Sequence, residues 1–336
     1  MAQPSHTSVV ETPEGAVQIG HFEEVLSLGG RYLNDHCLLR SDGLWHLFGI
    51  VGQIAPGNKP LGTGAEIAFA HAVSRDLHHW DVCPDVMECT EEWPENKSVF
   101  APHVTERDGR FYMLYAAADR QGTQRICLAT SGDLFNWQRY AGNPVIVPSV
   151  SWSRWPGFGL DSPVDNPDPR LRGTYGGCRD PHVLRLENGL YVAYWVSRLQ
   201  EKFGRDLTCV AASMSGDLVH WQEIGPVFAL RAWNDPPSRE VESPCVVRKD
   251  GRYWLFFKHG WWTHYVVSES PYDFAGAQPM RLGYCHAAEV FCWKQQWWIT
   301  HCSGDPTDYA YRKTNRTRGL FLGRLSWPQD GHPRLL

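Results

Sequence analysis

One phrase recurs along the 336-residue chain and restricts its fold more than any other feature. It reads NDHCLLRSDGLWHLFGI at 34–50, FAPHVTERDGRFYMLYA at 100–116, RDPHVLRLENGLYVAYW at 179–195 and ESPCVVRKDGRYWLFFK at 242–258. Each copy has a polar or small start, an apolar run, an Asp-Gly or Asn-Gly pair, and an aromatic-rich second run. Asp42-Gly43, Asp108-Gly109, Asn188-Gly189 and Asp250-Gly251 are pairs that tight antiparallel hairpins favour, because such turns need positive φ. A fifth, degenerate copy, HAAEVFCWKQQWWITHC (286–302), carries Lys294-Gln295-Gln296 where the turn belongs.

A second phrase follows each hairpin. SRDLHHW (74–80), SGDLFNW (131–137) and SGDLVHW (215–221) repeat it closely, and SESPYDF (268–274) is a looser version. Ser-x-Asp-Leu is a turn whose side chains bond local backbone, and the Trp after it re-enters packed structure. A hairpin, two further strands and a stereotyped turn make a four-stranded unit. Five such units predict an all-β, five-bladed β-propeller forming a single domain. The expected blades are 31–85, 98–145, 177–228, 240–278 and 282–328, with 1–30 as an N-terminal extension and 31–336 as the catalytic propeller. The long Pro-, Gly- and aromatic-rich stretch 147–177 reads as a pocket rim.

In a propeller the first strand of every blade lines the axis, so equivalent starts form a ring. The aligned starts are Asn34-Asp35, Phe100-Ala101, Arg179-Asp180, Glu242-Ser243 and His286-Ala287. Asp35, Asp180 and Glu242 therefore come from three blades toward one small volume. Crowded carboxyls split their pKa values, so one can stay protonated while another is ionised. That pairing suits glycoside hydrolysis, which needs a proton donor and an ionised base or nucleophile.

Composition narrows the partner. The chain has 16 Trp, 13 Tyr and 14 Phe, a density that suits strands and also stacking on sugar faces. Trp261 or Trp262, in KHGWWTHY, is a candidate for such stacking. His103 and His182 follow Pro in the two PHV copies, and His103 is a candidate substrate contact; Phe100 is another. The net charge of −5 argues against nucleic acid. No apolar run approaches the roughly 20 residues of a membrane helix. MAQPSHTSVVETPEGAVQ lacks the basic and apolar regions of a signal peptide. Ten Cys without a CxxC pair read as buried thiols, so a cytoplasmic location and a small-molecule or oligosaccharide substrate are expected.

These motifs resemble the five-bladed propeller glycosidases: glycoside hydrolase family 43, with relatives in families 32, 62, 68 and 117. FAPHV with DGRFYMLYAA, ESPCVVRKDGRYWLFF and LGRLSWPQDGHP are similar to family 43, whereas ND and RDP look more like family 32. The resemblance implies Asp35 as base or nucleophile and Glu242 as general acid. Asp180 would orient substrate and raise the pKa of Glu242, while Arg179 and Asn34 would bind sugar hydroxyls. It requires no cofactor, and it implies an axial histidine, His286, in contact with a hydrated structural calcium or a water cluster. His36 departs from the family pattern, which places Pro after the first Asp. Family 32 also carries a C-terminal β-sandwich, so the closer architectural match is single-domain family 43; that likeness implies inversion, with Asp35 activating water, whereas the family 32 likeness implies retention, with Asp35 attacking. The substrate implied is a terminal furanoside or pentoside: an arabinofuranoside, xyloside or fructofuranoside. Two alternatives stay open, a non-hydrolytic reaction (cyclisation, dehydration or transglycosylation) and a non-catalytic carbohydrate-binding propeller.

Overall fold

The computed structural model describes residues 8–12, 15–19, 21–55, 59–60, 66–155, 177–203, 207–230, 241–260, 262–302, 319–328 and 331–336. Five sheets follow one another around an axis, each a run of antiparallel neighbours. Blade I uses Arg31–Ser41, Leu44–Ala55, Ala68–Ser74 and Trp80–Val86; blade II uses Ser98–Arg107, Arg110–Ala118, Gln124–Ser131 and Trp137–Arg139. Blade III uses Cys178–Arg185, Tyr191–Arg198, Thr208–Ser215 and Gln222–Ala229, and blade IV uses Glu242–Lys249, Arg252–His259, Trp262–Ser268 and Met280–Gly283. Blade V joins Glu289–Trp293, Gln296–His301 and Leu320–Ser326. Its outer edge is shared: Leu320–Gly323 pairs with Phe22–Leu26, and Leu325–Ser326 pairs with Arg334–Leu335. Phe22–Leu26 lies within the expected 1–30 extension and is the strand that locks the ring. Among the described residues the one helical element is the 3-10 turn Glu201–Phe203.

Alternating side chains give every blade two apolar faces, and each face packs on the next blade. Phe48, Phe69, Met113 and Tyr115 fill the space between blades I and II; Leu114, Leu128 and Trp195 fill that between II and III. Val210, Phe228, Leu255 and Phe257 join III to IV, and Phe256, Tyr265, Val290 and Ile299 join IV to V. Leu33, Leu47 and Leu320 close V onto I. All ten cysteines are free thiols. The Ser-x-Asp-Leu turns are built alike. Ser74, Ser131 and Ser215 Oγ each accept the N–H of the following Asp and Leu, and each Asp carboxylate caps the next two amides. Leu77, Leu134 and Leu218 are thereby held buried at positive φ.

Asp42-Gly43, Asp108-Gly109 and Asp250-Gly251 take positive φ at both turn residues, as expected. Blade III differs: its strands stop at Arg185 and resume at Tyr191, and Leu186 N donates to Leu190 O at 2.8 Å. Blade V makes the two-residue turn with Lys294 and Gln295, both at positive φ without glycine.

The inner strands of blades I to IV share a further irregularity. Pairing skips one residue between Asn34 and His36, and opposite Ala101-Pro102, Asp180-Pro181 and Ser243-Pro244. Ala101, Asp180, Ser243 and Ala287 all sit at positive φ, a conformation that costs a residue bearing a Cβ about 1–2 kcal/mol. Such bulges re-aim side chains. Here two successive residues face the same mouth of the channel.

Candidate active site

The bulges bring the three acids together. Asp35 Oδ1 accepts a hydrogen bond from Ser243 Oγ at 2.6 Å, and the Ser243 N–H donates to Asp180 Oδ2 at 3.0 Å. Arg179 Nη2 donates to Glu242 Oε1 at 3.0 Å while its Nε lies 3.5 Å from Asp180 Oδ2. Lys258 Nζ holds Glu242 Oε2. Asp35 and Asp180 occupy the second position of the aligned pairs, whereas Glu242 occupies the first, with Asn34, Arg179 and His286. The acids therefore form two adjoining tiers of one ring.

Electrostatics differ from the expectation. Burial raises the Asp180 pKa to about 7, aided by Asp35 and Glu242 and opposed by Arg179 and the Ser243 amide. Burial also works against the Glu242 carboxylate, but Lys258 and Arg179 outweigh it and hold the group well below the usual range. The two cations thus favour an ionised Glu242 at rest, while burial favours a proton on Asp180. The expected raising of Glu242 is not seen at rest, because two cations flank it.

The remaining expected residues separate. Asn34 Oδ1 accepts from His286 Nε2 at 2.8 Å, so both stand at the ring. Phe100 is 9% exposed and packs in the cluster between blades I and II. Trp261 lies outside the described residues, as does 156–176 of the expected pocket rim. Trp262 is buried, edge-on to Tyr284 with the Arg281 guanidinium over its ring at 4.6 Å. His36, standing where blades II to IV have Pro, is buried and bonded through Nε2 to Thr300 Oγ1 at 2.8 Å. It ties blade I to blade V.

His103 lies below the ring, two residues beyond Ala101. The same step in the other blades reaches Cys37, His182, Cys245 and Glu289. His103 and His182 rings are 4.4 Å apart, and His182 Nδ1 is 3.7 Å from Glu289 Oε1. Between this layer and the acids lies a cavity of about 20 Å³ that reaches Asp35, Asp180, Ser243 and Glu289, enough for about one water. Calcium takes about six to eight oxygen ligands. A hydrated calcium near His286 would draw most of those oxygens from water, and the described residues beside His286 Nε2 offer it the Asn34 amide oxygen.

Two functional positions escaped the sequence reading. Lys258 pairs directly with Glu242 across the hairpin. Counting back from the Asp250-Gly251 turn, with one residue for the bulge, would have found it. Glu289 would have emerged by extending the ring register two residues inward.

Fold and site define a class: a five-bladed propeller that gathers three carboxylates at one mouth of its axis. Residues 30–154, blades I and II with Asn34-Asp35, match the model described as Glycosyl hydrolases family 32 N-terminal domain. The chain is 34% identical over 112 residues to acid β-fructofuranosidase 1, vacuolar, of a Rosa hybrid cultivar, covering 32% of this chain and 18% of that protein. It is 36% identical over 97 residues to acid β-fructofuranosidase 4, vacuolar, of Arabidopsis thaliana, covering 27% and 14%. The chain thus spans less than a fifth of these relatives' length. In fold it is similar to a family 43 subfamily 1 enzyme of Xanthomonas citri, with a TM-score of 0.68 and 16% identity over 94% of both chains. A family 32 β-fructofuranosidase of Bombyx mori gives a TM-score of 0.63 and 16% identity over 90% of this chain and 62% of that one. The likeness to propeller glycoside hydrolases is therefore present in sequence over two blades and in fold over nearly the whole chain.

Proposed function

We propose that the protein is a glycoside hydrolase acting on a terminal furanoside, with β-fructofuranosides first and arabinofuranosides and xylosides behind them. The observation that carries this reading is the convergence of Asp35, Asp180 and Glu242 through Ser243 and Arg179. Asp35, held by the Ser243 hydroxyl, is the nucleophile. The family 32 match over the blade bearing Asn34-Asp35 supports attack by Asp35 and retention over inversion. Glu242 is the acid of the substrate-bound state. A glycosidic oxygen entering beside Oε2 displaces Lys258, and loss of that cation raises the affinity of Glu242 for a proton. Arg179 stays on Oε1 and aligns the carboxyl; its planar donors suit that task.

The test is release of sugar from sucrose and from aryl arabinofuranosides and xylosides. Wild-type protein is expected to hydrolyse at least one, and Asp35→Asn to lose about 10²–10⁴-fold in rate. Proton NMR of the first anomer released reads the stereochemistry. No turnover on any of them overturns the reading. One observation favours a second one: both Glu242 oxygens are engaged by cations at rest, which suits a non-hydrolytic reaction in which Lys258 takes part.

A further inference from the structure

The layer beneath the acids takes no part in the proposed hydrolysis. Cys37, His103, His182, Cys245 and Glu289 stand at equivalent positions, one from each blade, and every one is a residue type that ligates metals. We propose that His103, His182 and Glu289 bind a transition-metal ion of the zinc class at the hub of the propeller, with a water completing its coordination. This assignment is independent of the hydrolytic reading.

The geometry carries it. One donor atom from each of His103, His182 and Glu289 lies within 4.8 Å of the other two. Cys245 Sγ is 3.7 Å from Glu289 Oε2. Both imidazoles are oriented by backbone of the next blade: His182 Nε2 lies 3.1 Å from Val246 O, and His103 bonds the backbone of Val183. A ring nitrogen that bonds a carbonyl carries the hydrogen, so the other nitrogen presents a lone pair. That nitrogen, Nδ1, is buried in both residues and has no hydrogen-bond partner among the described residues. An imidazole fixed by a carbonyl on one side, with its other nitrogen turned to a further ligand, as His182 Nδ1 is to Glu289 Oε1 at 3.7 Å, is the arrangement that metal-binding histidines show. The two Nδ1 atoms leave acceptors at the hub that a ligand can use. A cation between the two rings and Glu289 satisfies both. Two nitrogens and one carboxylate select zinc-like ions over calcium or magnesium. The small cavity below the acids reaches Glu289.

The test uses the full chain without an affinity tag, stripped with EDTA and titrated with Zn²⁺ in calorimetry and thermal-shift measurements, and with Co²⁺ as a visible probe. The expected results are one equivalent bound per chain, a rise in melting temperature that Ca²⁺ and Mg²⁺ do not give, and the intense bands of four-coordinate cobalt. Glu289→Gln, which keeps the shape, is expected to bind at least about tenfold more weakly. The exposed neighbours His78 and His79 are the competing surface site. His78→Asn with His79→Asn is expected to leave binding unchanged. Should Glu289→Gln fail to fold, the wild-type titration and cobalt spectrum still decide. No zinc bound at millimolar concentration, faint six-coordinate cobalt bands, or binding that survives Glu289→Gln but is lost with the His78 and His79 changes each overturns the proposal.

Discussion

Lys258 decides how the acids divide their work. Glu242 is mostly buried, and its ionisation there depends on the ammonium of Lys258 and the guanidinium of Arg179. Removing one cation makes the charged carboxylate less favourable, so its pKa rises. Lys258→Met is therefore expected to move the Glu242-dependent limb of the pH–rate profile upward, which a kcat/KM profile on an aryl furanoside will show. An unshifted profile would mean that Lys258 does not control Glu242. The acids themselves were legible from repeat alignment, because Asp35, Asp180 and Glu242 open equivalent strands. Their charge states were not. Those depend on a partner sixteen residues along the hairpin and on how deeply the bulge buries each carboxyl.

At the scale of elements, Asp-Gly turns located three hairpins correctly, since Gly is the residue that reaches positive φ without a steric cost. Asn188-Gly189 misled over length. Only Gly189 takes positive φ there, and the connection widens to Leu186–Leu190. The fifth turn is the informative case. Lys294 and Gln295 hold φ of 50° and 62°, and Gln295 stands where the Asp-Gly turns have glycine, so strain is retained at that second position. Gln295→Gly is expected to stabilise the protein by about 0.5–1 kcal/mol, the steric cost removed less the added chain entropy. Urea denaturation measures it, and a loss of stability would show that the turn is not strained. The bulges were not legible at all. Only their Pro102, Pro181 and Pro244 hinted that the inner strands break register.

Across the whole molecule, the repeat predicted the propeller, but it could not show that Phe22–Leu26 completes blade V, because that strand lies outside every repeat. Histidines buried between the blades set the response to acid. Burial lowers His264 and His301 to about 3 and His71 to about 4. Each has a folded pKa below its unfolded value near 6.5, so its contribution is complete above about pH 6.5 and is lost as pH falls toward the folded pKa. Stability is expected to decline below pH 6.5, by up to about 1.4 kcal/mol per pH unit for each such group. Denaturant midpoints between pH 7 and pH 5 check this, and a flat profile would show these rings already protonated or exposed.

The most direct measurement is a crystal structure of the Asp35→Asn protein soaked with the glycoside that the wild type turns over. The account predicts the sugar at the mouth of the channel, its anomeric carbon about 3–3.5 Å from the residue-35 side chain and its glycosidic oxygen beside Glu242 where Lys258 now sits. A sugar bound elsewhere, or facing the opposite end of the axis, would contradict it.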